Sequence, residues 1–178
     1  EFATRVGAAY GAYIWKGKYI ITSRDAHKAS RMIKRSIVAG LISAGVKVGD
    51  LRTAPIPVVR YELGKEGEAG GVHVRQSPFD PRLIDIKFFD KEGNEIPIPQ
   101  EKAIEQLFLR EDFPRVSPEE IGEIVVPRPN EFYQTGFLKT INLDLIKQGG
   151  QFKRPLKIVL DYAYSPAAQI FPAVLGEL

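Results

Sequence analysis

The sequence predicts an α/β protein in three layers, with helices on both faces of one mixed sheet. Short apolar runs of strand type alternate with segments whose apolar residues recur at helical spacing. The link from Val74 to Ile84 is too short for a helical crossover, so the last strand of the sheet should run antiparallel to its neighbour. No Gly-x-Gly-x-x-Gly follows a predicted strand, which argues against a dinucleotide-binding domain.

Composition indicates a globular chain rather than a membrane or disulfide-rich one. Of 178 residues, 44% are hydrophobic and 26% are charged. No apolar run is long enough to cross a bilayer, so no membrane association is expected. The absence of cysteine excludes disulfides and thiolate metal sites, and favours a cytoplasmic location. The chain begins at Glu1 rather than methionine, so we expect an upstream part to be missing.

The charge is distributed unevenly along the chain. Residues 1–60 carry eleven Lys and Arg against three acids (+8), whereas residues 61–178 carry fourteen against nineteen (−5). A basic half favours a phosphorylated small molecule or a solvated helix face, and we expect the latter for Lys28, Arg31, Lys34 and Arg35. No basic stretch is interleaved with aromatic residues, so nucleic acid is not an expected partner.

The first half of the chain predicts two helices and two strands. Val6 to Trp15 is rich in alanine and glycine and predicts a closely packed helix, followed by a strand at Tyr19 to Thr22. Ser30 to Ala44 has helical spacing and ends before a glycine. A second strand is predicted around Val46.

Two more strands and two more helices follow. A short helix begins near Pro55, where proline fits a first helical turn. Gly71 to Val74 and Ile84 to Phe89 predict strands, and Pro99 to Arg110 predicts a helix. The strands near Tyr19, Val46, Val72 and Ile86 should share one sheet.

Residues 1–112 are therefore predicted as a first domain, and four prolines mark 113–129 as an irregular connector. Helical segments from Glu131 to about Gln148, a strand at Leu156 to Leu160 and a final helix from near Pro166 are expected next. One strand with so few helices cannot form a domain. We therefore predict that 130–178 is the truncated start of a second, similar domain, packed loosely on the first.

Three stretches resemble one known family in their order and spacing. They are Arg5 to Gly11, Ile20 to Asp25, and Ala39 to Val46 followed by Pro55-Ile56-Pro57. Together they resemble the α-D-phosphohexomutases, the phosphoglucomutases and phosphomannomutases, along almost the whole chain. The resemblance implies the fold of that family's first domain and places the start of its second domain at the C-terminus.

The stretch from Gly71 to Lys87 carries the site by resemblance. It has a strand, a serine-containing loop, and a lysine ten residues after the serine. The resemblance implies that Ser77 is the phosphorylated serine and that Lys87 assists proton transfer. It also implies a Mg²⁺ ion that binds Ser77 through its phosphate, and Arg24 is taken as a phosphate-binding residue. Arg75 could hold a phosphate as a bidentate partner through its own chemistry, although the family has another residue there.

The loop departs from the family pattern in several positions. Pro78, Phe79 and Arg75 replace the family's histidine, asparagine and threonine, and His27 replaces an arginine. Proline removes a backbone donor and phenylalanine supplies no hydrogen bond, so the catalytic loop is degenerate. Residue chemistry alone favours a turn residue at Ser77 and an ordinary solvated lysine at Lys87.

The same chemistry gives three further expectations. Asp25 should cap or brace the turn before the helix that starts near Ser30. His73 should be a satisfied, partly buried histidine rather than a ligand. Ser77 should lie at an exposed turn beyond the end of the Gly71 to Val74 strand.

Two functions therefore remain open. One is a phosphomannomutase or phosphoglucomutase, an isomerase that acts by intramolecular phosphoryl transfer on a phosphorylated hexose together with the remaining mutase domains. The other is a non-catalytic module, binding sugar phosphates or regulating a mannose-1-phosphate guanylyltransferase-type nucleotidyltransferase, a class that Phe108 to Phe113 also resembles. In either case this chain alone is expected to be inactive, and the substrate epimer and any oligomer stay open.

Overall fold

Helices and strands alternate along most of the chain, as the changing spacing of its apolar residues indicates. The computed structural model describes residues 1–65, 68–127, 129–142 and 157–177. Its helices are α1 Phe2–Ile14, α2 Lys28–Ser43, α3 Ile56–Leu63, α4 Ile98–Arg110, α5 Pro129–Thr140 and α6 Phe171–Gly176. Its strands are β1 Tyr19–Arg24, β2 Lys47–Thr53, β3 Glu68–Gln76, β4 Ile84–Phe89 and β5 Ile124–Val125. Short 3-10 turns occupy Pro118–Glu120 and Pro166–Gln169.

The five strands form one sheet in the order β4-β3-β1-β2-β5. β1 runs parallel to both β2 and β3, and β2 runs parallel to β5. β4 is antiparallel to β3, with Gly71 opposite Phe89 and Gln76 opposite Ile84. The predicted mixed sheet is confirmed, including the direction of its last long strand.

Each face of the sheet is covered by helices and has its own apolar cluster. α1, α2 and α4 cover one face, where Tyr10, Leu41 and Val72 are buried. α3, α5 and α6 cover the other face, where Leu63 and Phe89 are buried. Because strand side chains alternate between faces, a parallel sheet at the centre of the molecule needs both covers. The three-layer α/β/α architecture is therefore confirmed.

Helices α1 and α2 lie close together because glycines face each other's backbone. A Cβ on Gly7 would overlap the carbonyl oxygen of Ile37, and one on Gly40 would overlap that of Thr4. Small residues let helix axes approach, so the expectation of a closely packed first helix is confirmed.

The predicted connector at 113–129 is more ordered than expected. Its residues Ile124–Val125 form β5 and pair with Val48–Gly49 at the edge of the sheet. The N–H of Gly122 donates to the carbonyl oxygen of Ile42 at 3.0 Å, which fixes the approach to that edge. A two-residue strand shows too little alternation to be recognised from sequence.

The later elements match the predictions only in part. α5 ends at Thr140, and most of the rest of the helical stretch predicted to reach Gln148 lies outside the described residues. The strand predicted at Leu156 to Leu160 is wrong for its described part, because residues 157–160 are not in a strand. Val159 is 95% exposed there. The final helical turns after residue 166 are confirmed.

The loose packing predicted for 130–178 does not hold for every described residue of that segment. Ile170 and Val174 are buried in the apolar cluster on the α3 face of the sheet. The rings of Tyr61 and Tyr133 meet edge to face, with centroids 5.5 Å apart. Residues on the C-terminal side of the connector thus contribute to the apolar cluster on that face.

We predict that Gly40→Ala destabilises the chain although alanine favours helix by about 1 kcal/mol. The new Cβ meets backbone that cannot turn aside, so overpacking should outweigh propensity by roughly 1–2 kcal/mol. Urea unfolding would measure the change. The matched control is Gly64→Ala, since a Cβ there lies 3.6 Å from the carbonyl oxygen of Tyr61 and φ is −75°. Equal stability of the Gly40 variant and wild type would contradict the close packing.

Candidate functional site

The candidate site lies at the carboxyl ends of β1 and β3, the two central parallel strands. The chain leaves β1 toward α2 and β2 on one side, and leaves β3 toward β4 on the other. Ligands of open α/β sheets bind where connections diverge in this way. Arg24 ends β1, Asp25 follows it, and Ser77 follows the last residue of β3.

Asp25 joins the two strand ends through three hydrogen bonds. Its Oδ2 accepts from the N–H of Gln76 at 2.7 Å, and its Oδ1 accepts from the N–H of His27 at 2.9 Å. Its own N–H donates to the carbonyl oxygen of Val74 at 3.1 Å. The expected bracing of the turn before α2 is confirmed. The bond to Gln76, the residue before Ser77, was not expected from the sequence.

The loop that carries Ser77 is a closed hairpin loop. The N–H of Ser77 donates to the carbonyl oxygen of Leu83 at 2.9 Å, and the Gln76 side-chain amide donates to that of Pro81 at 2.7 Å. Ser77 Oγ accepts from the N–H of Phe79 at a long 3.4 Å. Ser77 is only 9% exposed, so the expected exposed position is wrong. The side chain of Phe79 is instead 93% exposed.

Arg75 and Lys87 are both engaged in ion pairs away from Ser77. Arg75 Nε lies 3.3 Å from Asp85 Oδ2, and Lys87 Nζ lies 2.7 Å from Glu95 Oε1. The ladder pairs Lys87 with the strand position four residues before Ser77. At about 3.3 Å per residue, that position lies roughly 13 Å along the strand from Ser77. Ser77 and Lys87, ten residues apart in the sequence, therefore lie on one hairpin but are not in contact.

Ser23 and His73 form a buried polar pair between β1 and β3. Ser23 Oγ lies 2.7 Å from His73 Nδ1, and His73 is 3% exposed. Burial lowers the pKa of His73 to about 4, with nearby Asp25 acting in the opposite direction. The imidazole is therefore neutral at pH 7, consistent with the expectation of a satisfied buried histidine rather than a ligand.

Arg24 faces the other side of the sheet. Ser23 and His73 are register partners on the α3 side, so the next side chain along β1 points toward α2. The Arg24 guanidinium donates to the carbonyl oxygen of Asp25 at 2.6 Å, and the residue as a whole is 9% exposed. The resemblance grouped Arg24 with Ser77, but the structure does not bring their side chains together.

The expected solvated face of α2 is only partly correct. Lys28, Arg31 and Arg35 are exposed, whereas Lys34 is 3% exposed and forms an ion pair with Asp50 of β2. Burial lowers the pKa of Lys34, and the ion pair opposes that effect. A lysine buried on a helix needs such a partner.

The described residues do not by themselves make a metal site or a membrane span. No group of three or more His, Cys, Asp or Glu side chains is placed there to hold a cation. None of the helices searched within this part is long and apolar enough to cross a bilayer.

A family model described as "Phosphoglucomutase/phosphomannomutase, alpha/beta/alpha domain I" matches residues 1–115. The chain belongs to this family. The phosphoglucosamine/phosphogalactosamine mutase of Sulfurisphaera tokodaii is 30% identical, over 100% of this chain and 38% of its own length. A phosphoglucomutase/phosphomannomutase of Thermococcus kodakarensis is 28% identical, over 100% and 39%.

A solved structure extends the likeness to the fold of the family. A phosphoglucomutase/phosphomannomutase family protein from Burkholderia thailandensis superposes with a TM-score of 0.77 at 19% identity. The match covers 99% of this chain and 38% of that one. The chain spans roughly a third to two-fifths of the curated relatives it matches.

We predict that Asp25→Asn loosens the start of the loop, because one amide oxygen cannot replace two carboxylate oxygens that accept separate N–H groups. Exchange of the Gln76 amide hydrogen should become about tenfold faster, as expected for loss of a charge-assisted bond. Asp80→Asn in the same loop is the control, since Asp80 bonds Arg82 instead. Unchanged exchange at Gln76 in the Asp25 variant would show that the carboxylate does not hold the loop.

We also predict that His73 makes the chain less stable in acid. The unfolded state takes up a proton at the ordinary pKa of 6.5, but the folded state does so only near 4. Stability is therefore full above pH 6.5 and falls by about 3 kcal/mol between pH 6.5 and 4. Unfolding curves of His73→Gln should lack this loss, whereas the exposed His27→Gln should keep it. An identical pH dependence in His73→Gln and wild type would contradict the neutral buried imidazole.

Proposed function

We propose that this chain is the phosphoserine-loop part of a phosphohexomutase, in which Ser77 carries the transferred phosphoryl group. The observation that carries the proposal is the position of Ser77. It directly follows central strand β3, in a loop that Asp25 ties to the end of β1. Family membership and the ten-residue spacing to Lys87 support the same role.

The proposed reaction uses the hairpin formed by β3 and β4. A sugar hydroxyl attacks the phosphorus on Ser77 Oγ, a new P–O bond to the sugar forms, and the P–Oγ bond breaks. The proton of the hydroxyl passes by way of Lys87 and is returned to Ser77 Oγ, so charge and atoms balance. The roughly 13 Å between the two strand positions leaves room for a phosphoryl group and a sugar between them. Lys87 must exchange Glu95 for the sugar hydroxyl.

Arg75 is the guanidinium proposed to hold a phosphate in this loop. It lies two residues before Ser77, and its Nε bond to Asp85 leaves the terminal nitrogens of the fork for an anion. The proposed substrate is a phosphorylated hexose or hexosamine, the classes that the names of the relatives contain. When bound, Mg²⁺ would neutralise phosphate charge, with the phosphate on Ser77 as this chain's ligand.

The proposed domain division follows the same family pattern. Residues 1–112 would form the phosphoserine-loop domain, 113–129 the connector, and 130–178 the start of the second domain. The match of the domain I model to residues 1–115 supports the first boundary. The remaining mutase domains would supply the rest of the site.

A second candidate function is a non-catalytic sugar-phosphate-binding module, including one that serves a nucleotidyltransferase. It is favoured by the state of the loop. Ser77 is buried, its N–H is already bonded to Leu83, and Pro78 has no N–H to offer. Few donors therefore remain for a transferring phosphoryl group, which needs positioned ones.

We predict that, in the full-length protein purified from its native source, mass spectrometry finds phosphate on Ser77. Ser77→Ala should lower mutase turnover of hexose phosphates by about a thousandfold or more, since no other group takes the phosphoryl. The matched control is Ser36→Ala, a helix-surface serine that bonds only the carbonyl oxygen of Met32. It should keep wild-type turnover.

The two candidates give opposite results in this experiment. An unmodified Ser77, with no mutase turnover in wild type but retained binding of hexose phosphate, supports the non-catalytic module. Wild-type mutase turnover by Ser77→Ala would exclude the phosphoserine mechanism.

A further inference from the structure

A cationic cavity of about 270 Å³ opens between α2 and β2, on the side of the sheet that faces α2. It is near the carboxyl ends of β1 and β2, where α/β sheets bind ligands. Its volume is just below the roughly 300–1,000 Å³ of typical small-molecule sites. Five cations and one carboxylate line it: Arg24, Arg31, Lys34, Arg35, Arg52 and Asp50.

The single carboxylate of the cavity is already used. Asp50 Oδ1 pairs with Lys34 Nζ and also accepts from the backbone N–H of Arg52 at 2.6 Å. No carboxylate in the described part of the chain forms an ion pair with Arg24, Arg31, Arg35 or Arg52. Four guanidinium groups therefore share this cavity without a counter-ion from the described residues.

Burial and mutual repulsion disfavour the charged forms of Arg24 and Lys34 in this cavity. Burial lowers the pKa of Arg24, and the neighbouring charge of Arg31 lowers it further, against the opposite effect of Asp25 and Asp50. The pKa of Lys34 is lowered by burial first, with Arg24 and Arg35 adding to the effect. A bound anion would relieve this mutual repulsion.

The fold fixes the guanidinium of one arginine and the backbone of another. Arg24 is 9% exposed, and its guanidinium is fixed by the carbonyl oxygen of Asp25 at 2.6 Å. Arg52 adopts a left-handed backbone with φ 59°, which a non-glycine residue adopts at a cost. Its N–H bond to Asp50 stabilises this conformation. Preorganised arginines recognise tetrahedral oxyanions better than mobile surface lysines do.

We propose that this cavity binds a phosphate dianion, either free or as the phosphate group of a sugar phosphate. Guanidinium forks match phosphate oxygens with paired N–H donors, and the four unpaired arginines exceed the charge of one dianion. The site is on the opposite face of the sheet from Ser23, His73 and Lys87. It does not depend on phosphorylation of Ser77.

Isothermal titration of the full chain with inorganic phosphate, hexose 6-phosphate and the unphosphorylated hexose tests the proposal. The variant is Arg31→Gln combined with Arg35→Gln, two exposed helix positions where glutamine preserves folding. We expect phosphate affinity to fall about tenfold or more. The control is Arg110→Gln on α4, which removes one positive charge outside the cavity, against two in the variant, and should change affinity less than twofold.

Comparing inorganic phosphate with hexose 6-phosphate identifies the source of the bound phosphate. Tighter binding of hexose 6-phosphate than of phosphate, with no binding of the hexose, identifies a sugar phosphate; equal binding identifies free phosphate. Arg31 and Arg35 lie on α2, outside the Ser77 loop, so a loss of phosphate binding in their variant is distinct from any loss of function at Ser77. Absence of phosphate binding, or an equal loss in Arg110→Gln, would overturn the inference.

Discussion

The carboxylate of Asp25 accepts backbone hydrogen bonds from two separate segments, and the arrangement of the chain at the carboxyl ends of β1 and β3 depends on both bonds. One bond begins the turn into α2, and the other holds Gln76 as β3 ends. Because β1 and β3 are parallel and adjacent, they end at the same side of the sheet. Without Asp25, both strand ends would present unpaired N–H groups there. A single side chain thus positions the start of α2 and the start of the Ser77 loop. Those are the elements from which both candidate sites are built.

The sheet also separates two kinds of polar environment. On the α3 side, Ser23 and His73 satisfy each other without charge, and the imidazole stays neutral because it is desolvated. On the α2 side, Lys34 forms an ion pair with Asp50, and the arginines beside it form no ion pair with a carboxylate in the described structure. Burial penalises charge on either face, so the difference comes from the partner each group meets.

Much of the fold was predictable because its signals are long and periodic. α2 and the four longer strands follow from spacing over several residues, and the antiparallel β4 follows from the length of one loop. β5 has two residues and no period to read. The exposed residues 157–160 have the composition of a buried strand, but composition cannot supply the neighbouring strand that such a segment needs.

The site was predictable in position more than in contacts. Ser77 lies at the end of β3 as the resemblance implied, but its burial and its bond to Leu83 arise from the closed loop. The burial of Lys34 could have been predicted from helical spacing. Lys34 falls four residues after Ser30 and three before Ile37, which are both buried on α2. The Asp25 bond to Gln76 had none, because it joins residues 51 positions apart.

The alternation of side chains along β1 has a consequence for phosphate chemistry. Ser23 and Arg24 are consecutive, so the sheet itself separates the guanidinium of Arg24 from the face shared by His73 and Lys87. In the proposed mechanism, the guanidinium that this chain would offer to the phosphate on Ser77 is that of Arg75, and Arg75 already shares its charge with Asp85. Since one partly paired guanidinium neutralises little of a phosphate dianion, the proposed mechanism would need further cations, such as a bound metal ion or side chains of other segments of the protein. The arginines on the α2 side remain available for a different anion.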